Sequence, residues 1–224
     1  KKICEPDHYP VDDSMLLSPP EDGSEISIIR GPNIKPLPVN TPLPECLTAT
    51  VSLKAGDHVS TDDITPANAQ FSSMRSNIPL IAEYAFNRYD PEFVARAKAM
   101  GVSILIGGEN YGQGSSREHA AITPMFLGVK AVIAKSMARI HKGNLINHGV
   151  VPLLFSDPAD YDALSLADEL EIADFPAQLR SKTVTVLNRT TGRSFQTTAA
   201  LSDDEVEILL CGGQLAYMKK ALGR

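Results

Sequence analysis

The chain has 224 residues, 43% of them hydrophobic and 21% charged, with a formal net charge of −6. This is the make-up of an ordinary globular protein, long enough for one sizeable domain or two small ones. The acidic balance argues against nucleic acid as the main partner, because neutralising phosphates needs a basic face.

Residues 1 to 48 are crowded with prolines and acidic residues and show little periodicity. Proline removes a backbone donor and biases the residue before it toward extended conformations. The segment therefore reads as an extended linker or wrap, with EISIIRG (residues 25–31) as a short strand. So long a linker implies a body before it, so the expectation is a C-terminal piece of a larger protein, with residues 49 to 224 as the domain.

From Leu47 the pattern changes. LTATVSL alternates like a strand, and GDHVSTDDITPAN (56–68) is a polar loop rich in turn formers. IPLIAEYAF and PEFVARAKAMG read as helices, the second with proline at its start and glycine at its end. VSILIGG, KAVIAKS and VVPLLF are short apolar runs, separated by helices expected from SSREHAAI and MARIHKGNLINHG. Strand, helix, strand, helix, strand is the mark of parallel crossover units, so the fold class is α/β. DELEI, TVTVLN and RSFQTTA add strands, expected as a second β layer, and one last helix is expected near residues 203–222.

No apolar run nears the roughly 18 residues of a membrane span, and the polar start is no secretory signal, so a cytoplasmic setting, cytosol or organelle matrix, fits. The three cysteines, Cys4, Cys46 and Cys211, have no C-x-x-C spacing and are expected to be structural or incidental thiols.

YGQGSSREHA (111–120) lies between a predicted strand and a predicted helix. Ligands in open α/β sheets sit outside the carboxyl ends of strands, and a helix start offers free N–H groups to an anion. Ser115-x-x-Glu118 also fits a capping box, which by itself accounts for both residues. Capping requires neither Ser116 nor Arg117, whose guanidinium fork suits a carboxylate or phosphate. Nucleotide motifs are absent: the loop is neither G-x-G-x-x-G nor G-x-x-x-x-G-K-[ST]. G-x-S-x-G is absent too.

The stretch GGENYGQGSSREHAAITPMFLGVKAVIAKSMARIHKGNLINHGVVPL, together with GDHVSTDDITPA and RGPNIKPLP, resembles the C-terminal swivelling domain of the aconitase family and its isopropylmalate and homoaconitate isomerase relatives. The resemblance implies a swivelling β/β/α domain and the interconversion of citrate and isocitrate through cis-aconitate. It implies a 4Fe-4S cluster in the complete enzyme, carried by the cluster-bearing N-terminal domains and ligated by no residue of this chain, so the chain alone should be inactive. It gives Ser115 the role of general base and Asp62 a place lining the active site. It makes Arg75, Ser116 and Arg117 binders of a tricarboxylate substrate. Alone, STDD reads equally as a turn or cap, and Arg75 as a solvated surface residue. Thr61 and Asp63 are expected to be structural, Glu118 and His119 to support the loop, and Arg139 and His141 carry no assigned role. The alternatives are the separate small subunit of an isopropylmalate-type or homoaconitate isomerase, and a non-catalytic binding module of the same fold.

Overall fold

Seven strands form one closed sheet in the computed structural model, which describes residues 8–223. The order around the barrel is β1 (Leu47–Lys54), β2 (Ser103–Gly107), β3 (Val129–Ala134), β4 (Val151–Phe155), β7 (Arg193–Thr198), β6 (Thr183–Asn188) and β5 (Glu169–Ile172). The first four pair in parallel; the last three join antiparallel to one another and to β4 and β1. The α/β class therefore stands, and the added strands, expected as a second layer, complete the same sheet as the parallel ones.

The residue patterns explain the two halves. SILIG of β2 is buried throughout, as are nearly all of VKAVIA in β3 and VPLLF in β4. Continuous apolar runs suit parallel strands covered on both faces. β6 and β7 alternate buried and exposed, as strands with one wet face do. Side chains on successive residues point to opposite faces. Accordingly Ile104 and Ile106 join one core cluster with Val184, Val186 and Phe195, while Leu105 joins another with Ile81, Phe86 and Phe93.

Between β1 and β2 run α1 (Thr61–Ile64), α2 (Ala69–Ser72), α3 (Ile78–Ala82) and α4 (Phe93–Met100). The later crossovers are α5 (His119–Phe126) and α6 (Arg139–Asn147). α7 (Phe175–Ser181), which the sequence reading missed, links β5 to β6. The single helix expected at the end is two, α8 (Asp203–Leu210) and α9 (Gln214–Ala221). Gly212 (φ 90°) and Gly213 (φ 120°) separate them in backbone conformations that favour glycine.

Two compact units divide at Pro32 and Asn33. In the first, the described residues 8–32 carry turns, such as Leu16 N–H to Asp13 O at 2.9 Å, and no helix or strand; the strand expected at residues 25–31 is absent. In the second, residues 33–46 form a strap over the barrel unit. Asn40 Nδ2 donates to the carbonyls of His148 (3.2 Å) and Gly149 (2.9 Å), and Lys130 Nζ donates to Asn40 Oδ1 (2.6 Å). Of the cysteines, Cys46 is exposed and Cys211 half-buried; Cys4 lies outside the described residues.

Candidate functional site

Because β1 and β2 are parallel neighbours, the loops that follow them leave the same edge of the sheet. Backbone bonds then zip the loops together. His58 N–H donates to Glu109 O (2.7 Å), Gly112 N–H to Val59 O (2.8 Å) and Thr61 N–H to Gln113 O (2.8 Å). Gly112 sits at φ 77°, and a Cβ there would come within 2.1 Å of the ring of the buried His141. Only a glycine lets the loop pass this close.

The capping box forms on the other loop. Ser60 caps α1 by accepting from Asp63 N–H (3.1 Å), and the Asp63 carboxylate accepts from Ser60 N–H (2.8 Å). Ser115 caps nothing, because α5 starts at His119 and its cap position, Glu118, makes no side-chain cap bond. Both loops carry the S-x-x-D/E pattern, and the tertiary zip decides between them. It holds residues 112–115 along the first loop, where Thr61 Oγ1 donates to Ser115 O (3.2 Å). The fold thus uses the carbonyl of Ser115 and leaves its side chain exposed.

Ser115, Ser116, Arg117 and Arg75 line one cavity of about 260 Å³, with Glu118 and His119 completing one wall and Thr65–Ala67 another. Arg75 comes from the turn before α3, far in sequence from the serines, and is exposed. The lining therefore gathers two arginines and two serines around one small space, a composition suited to an anionic ligand with more than one carboxylate.

Asp62 lies outside that lining and pairs with Arg117, its Oδ1 accepting from Nη1. The pair fixes one arm of the guanidinium and leaves the rest of the fork available. Thr61 and Asp63 serve the loop structure, as expected. Arg139 is exposed at the start of α6. His141 is 2% exposed with neither ring nitrogen hydrogen-bonded, and burial lowers its pKa from 6.5 to about 4.

Sequence reasoning did not find Thr65 and Thr123. Both are buried; Thr123 Oγ1 donates to the carbonyl of His119 (2.8 Å) and accepts from Thr65 Oγ1 (2.6 Å), which itself lies 3.2 Å from the same carbonyl. Among the described residues no group of three or more His, Cys, Asp or Glu is placed to hold a metal ion, and neither Cys46 nor Cys211 lines the cavity. These residues do not fit an iron-sulfur cluster.

A model of the aconitase C-terminal domain matches residues 64–158, which include Arg75 and Ser115–Arg117. A probable mitochondrial aconitate hydratase of Caenorhabditis elegans is 38% identical over 138 residues, covering 60% of this chain and 18% of that protein. The chain thus spans about a fifth of the length of such relatives. The 3-isopropylmalate dehydratase small subunit 2 of Archaeoglobus fulgidus is also 38% identical, over 167 residues, which cover 75% of this chain and 92% of the relative. A crystal structure of 3-isopropylmalate dehydratase from Methanocaldococcus jannaschii superposes with a TM-score of 0.64 at 29% identity, covering 79% of this chain and 96% of that one. With near-complete coverage of one relative and the family match over the loop that builds the cavity, the chain belongs to the aconitase C-terminal domain family.

Proposed function

We propose that the chain supplies the substrate-binding and proton-abstracting part of an aconitase-type hydro-lyase, acting on citrate and isocitrate through cis-aconitate. The observation that carries this reading is the convergence of Ser115, Ser116, Arg117 and Arg75 on one cavity from two distant stretches of chain. Arg75 and Arg117 bind carboxylates of the tricarboxylate, and Ser116 adds a hydroxyl donor. Asp62 keeps Arg117 aligned rather than meeting the substrate itself.

Ser115 takes a proton from the carbon next to a bound carboxylate. A serine hydroxyl is a weak acid, and each pH unit by which its pKa falls needs about 1.4 kcal/mol of preferential stabilisation of the alkoxide. Arg117, two residues on and lining the same cavity, is a cation available for that task. The 4Fe-4S cluster of the complete enzyme sits in this reading on cluster-bearing domains outside the chain.

With those domains supplied, Ser115→Ala should lower kcat by orders of magnitude while KM stays within a few fold, since the side chain acts on the transition state. Turnover near that of the unaltered protein would reduce Ser115 to a loop residue. A second reading has its own support. The chain covers 92% and 96% of two 3-isopropylmalate dehydratase relatives, which favours a separate small subunit acting on an isopropylmalate-type substrate. Arg75 favours the tricarboxylate, because a guanidinium matches a third carboxylate and not an alkyl arm. Assaying citrate, isocitrate, homoaconitate and isopropylmalate side by side separates the two.

A further inference from the structure

We infer that His119 is a positioning residue that sets the reach of Arg75 by holding the Arg75 backbone carbonyl against the start of α5. The inference rests on Arg75 binding substrate carboxylate, as proposed above. His119 Nε2 lies 2.9 Å from Arg75 O. A carbonyl oxygen only accepts, so Nε2 carries the proton and donates.

The base of this strut is fixed. Thr123 donates to the carbonyl of His119 at 2.8 Å and is itself held by Thr65, whose hydroxyl donates to Thr123 Oγ1 at 2.6 Å, so a buried two-hydroxyl relay anchors the backbone of His119 to the end of α1. The imidazole, with a side chain 17% exposed, extends from that anchor in the wall shared by two cavities, of about 260 and about 410 Å³.

The tip of the strut meets a segment with few other ties. In the turn of residues 73–77 Met74 packs against the core, while Arg75 and Ser76 are exposed. Its other backbone tie to a distant part of the unit is Lys35 N–H to Ser76 O at 3.0 Å. One carbonyl held at Arg75 and one at Ser76 fix where the guanidinium starts, and a guanidinium moved off its two-pronged geometry binds a carboxylate less well. Arg117 is oriented differently, by the carboxylate of Asp62. The two cationic groups of the cavity are thus set by separate devices: Nε2 of His119 meets the Arg75 carbonyl, while its Nδ1 lies 3.3 Å from Glu118 Oε1.

The test uses the chain with its cluster-bearing counterpart and follows steady-state kinetics with cis-aconitate. His119→Ala should raise KM about tenfold, the worth of a hydrogen bond, with kcat changed far less. His119→Gln, whose amide can donate to the same carbonyl, should recover most of the loss. In an Arg75→Ala background, His119→Ala should add little, because no guanidinium remains to be placed. Nitrogen NMR of the chain at pH 8 should show His119 as the Nε2–H tautomer.

An Nδ1–H tautomer, KM effects of His119→Ala and Arg75→Ala that multiply, or a loss in kcat instead of KM would each overturn the strut. So would an unchanged KM in His119→Ala when Arg75→Ala raises it, and that result leaves the substrate assignment standing. An unchanged KM in Arg75→Ala would instead remove Arg75 from the site and take the strut with it.

Discussion

Acidification should destabilise this protein through His141, and replacing that residue should remove much of the effect. The side chain is 2% exposed, neither ring nitrogen has a hydrogen-bond partner, and burial alone depresses its pKa from 6.5 to about 4. Between those values the unfolded chain holds a proton that the folded chain does not. Stability is therefore fully present above about pH 6.5, falls as pH drops below it, and levels off beneath about pH 4. At about 1.4 kcal/mol per pH unit, the whole interval is worth roughly 3 kcal/mol, and the loss by pH 5 is roughly 2 kcal/mol. For a chain of this size 2 kcal/mol corresponds to a fall in Tm of about 4 to 8 °C. His148 is also buried enough to lower its pKa and adds in the same direction. The assay is urea unfolding at pH 8 and pH 5 for the unaltered chain and for His141→Leu. Because the imidazole makes no hydrogen bond, the apolar variant should be near neutral or more stable at pH 8. Its midpoint should fall less by pH 5. Equal pH slopes for the two proteins, or a His141 titration midpoint near 6.5, would refute the reasoning.

Gly112→Ala should cost more than 1 kcal/mol, because it adds a Cβ about 2.1 Å from the His141 ring at φ 77°, and it should lower kcat by displacing the loop that leads to Ser115; thermal unfolding and kinetics check both. Asn40→Ala should remove two bonds from the strap to the His148 and Gly149 carbonyls and cost about 1 to 3 kcal/mol. Hydrogen exchange should then speed up at the amides of the strap before those of β2 and β3. Arg75→Lys should raise KM for the substrate, since an ammonium cannot reproduce a two-pronged contact with a carboxylate; an unchanged KM would place Arg75 outside the site.

The parallel half of the barrel was legible because each of its strands is a short apolar run closed by a glycine or a polar turn; of the intervening helices α1 and α2, four residues each, were not, α1 lying in the stretch expected as a polar loop. The loop of residues 111–119 was legible for a different reason: its composition exceeds what capping needs. What the sequence hid depends on contacts between distant residues. S-x-x-D/E occurs at Ser60 and at Ser115, and nothing local says which serine turns its hydroxyl to a helix; the backbone zip between the loops decides. The split of the last helix had a local signal, the Gly212–Gly213 pair. So did α7, which has a proline in its first turn after Asp174, although Asp174 makes no capping bond there. Closure of the barrel had none, because an alternating strand fits a second layer as well as the edge of the first.

The arrangement of charge at the cavity follows from how rigidly each loop is held. Arg117 sits on a loop bound by backbone hydrogen bonds to the loop after β1, and that same loop supplies Asp62. One stretch of chain therefore fixes both the place of the cation and its orientation, through a pair whose carboxylate is exposed. Arg75 stands on an exposed turn, with no carboxylate paired to its guanidinium among the described residues. In the proposed reading a multiply charged ligand meets one cation held by a carboxylate and one held only through the backbone of its turn. Binding energy spent on the second is the part that depends on His119, on Lys35 and on the strap. Substrates that differ only in the group facing Arg75 should differ most in that contribution, so the two readings of the chemistry divide at Arg75 and not at the serines.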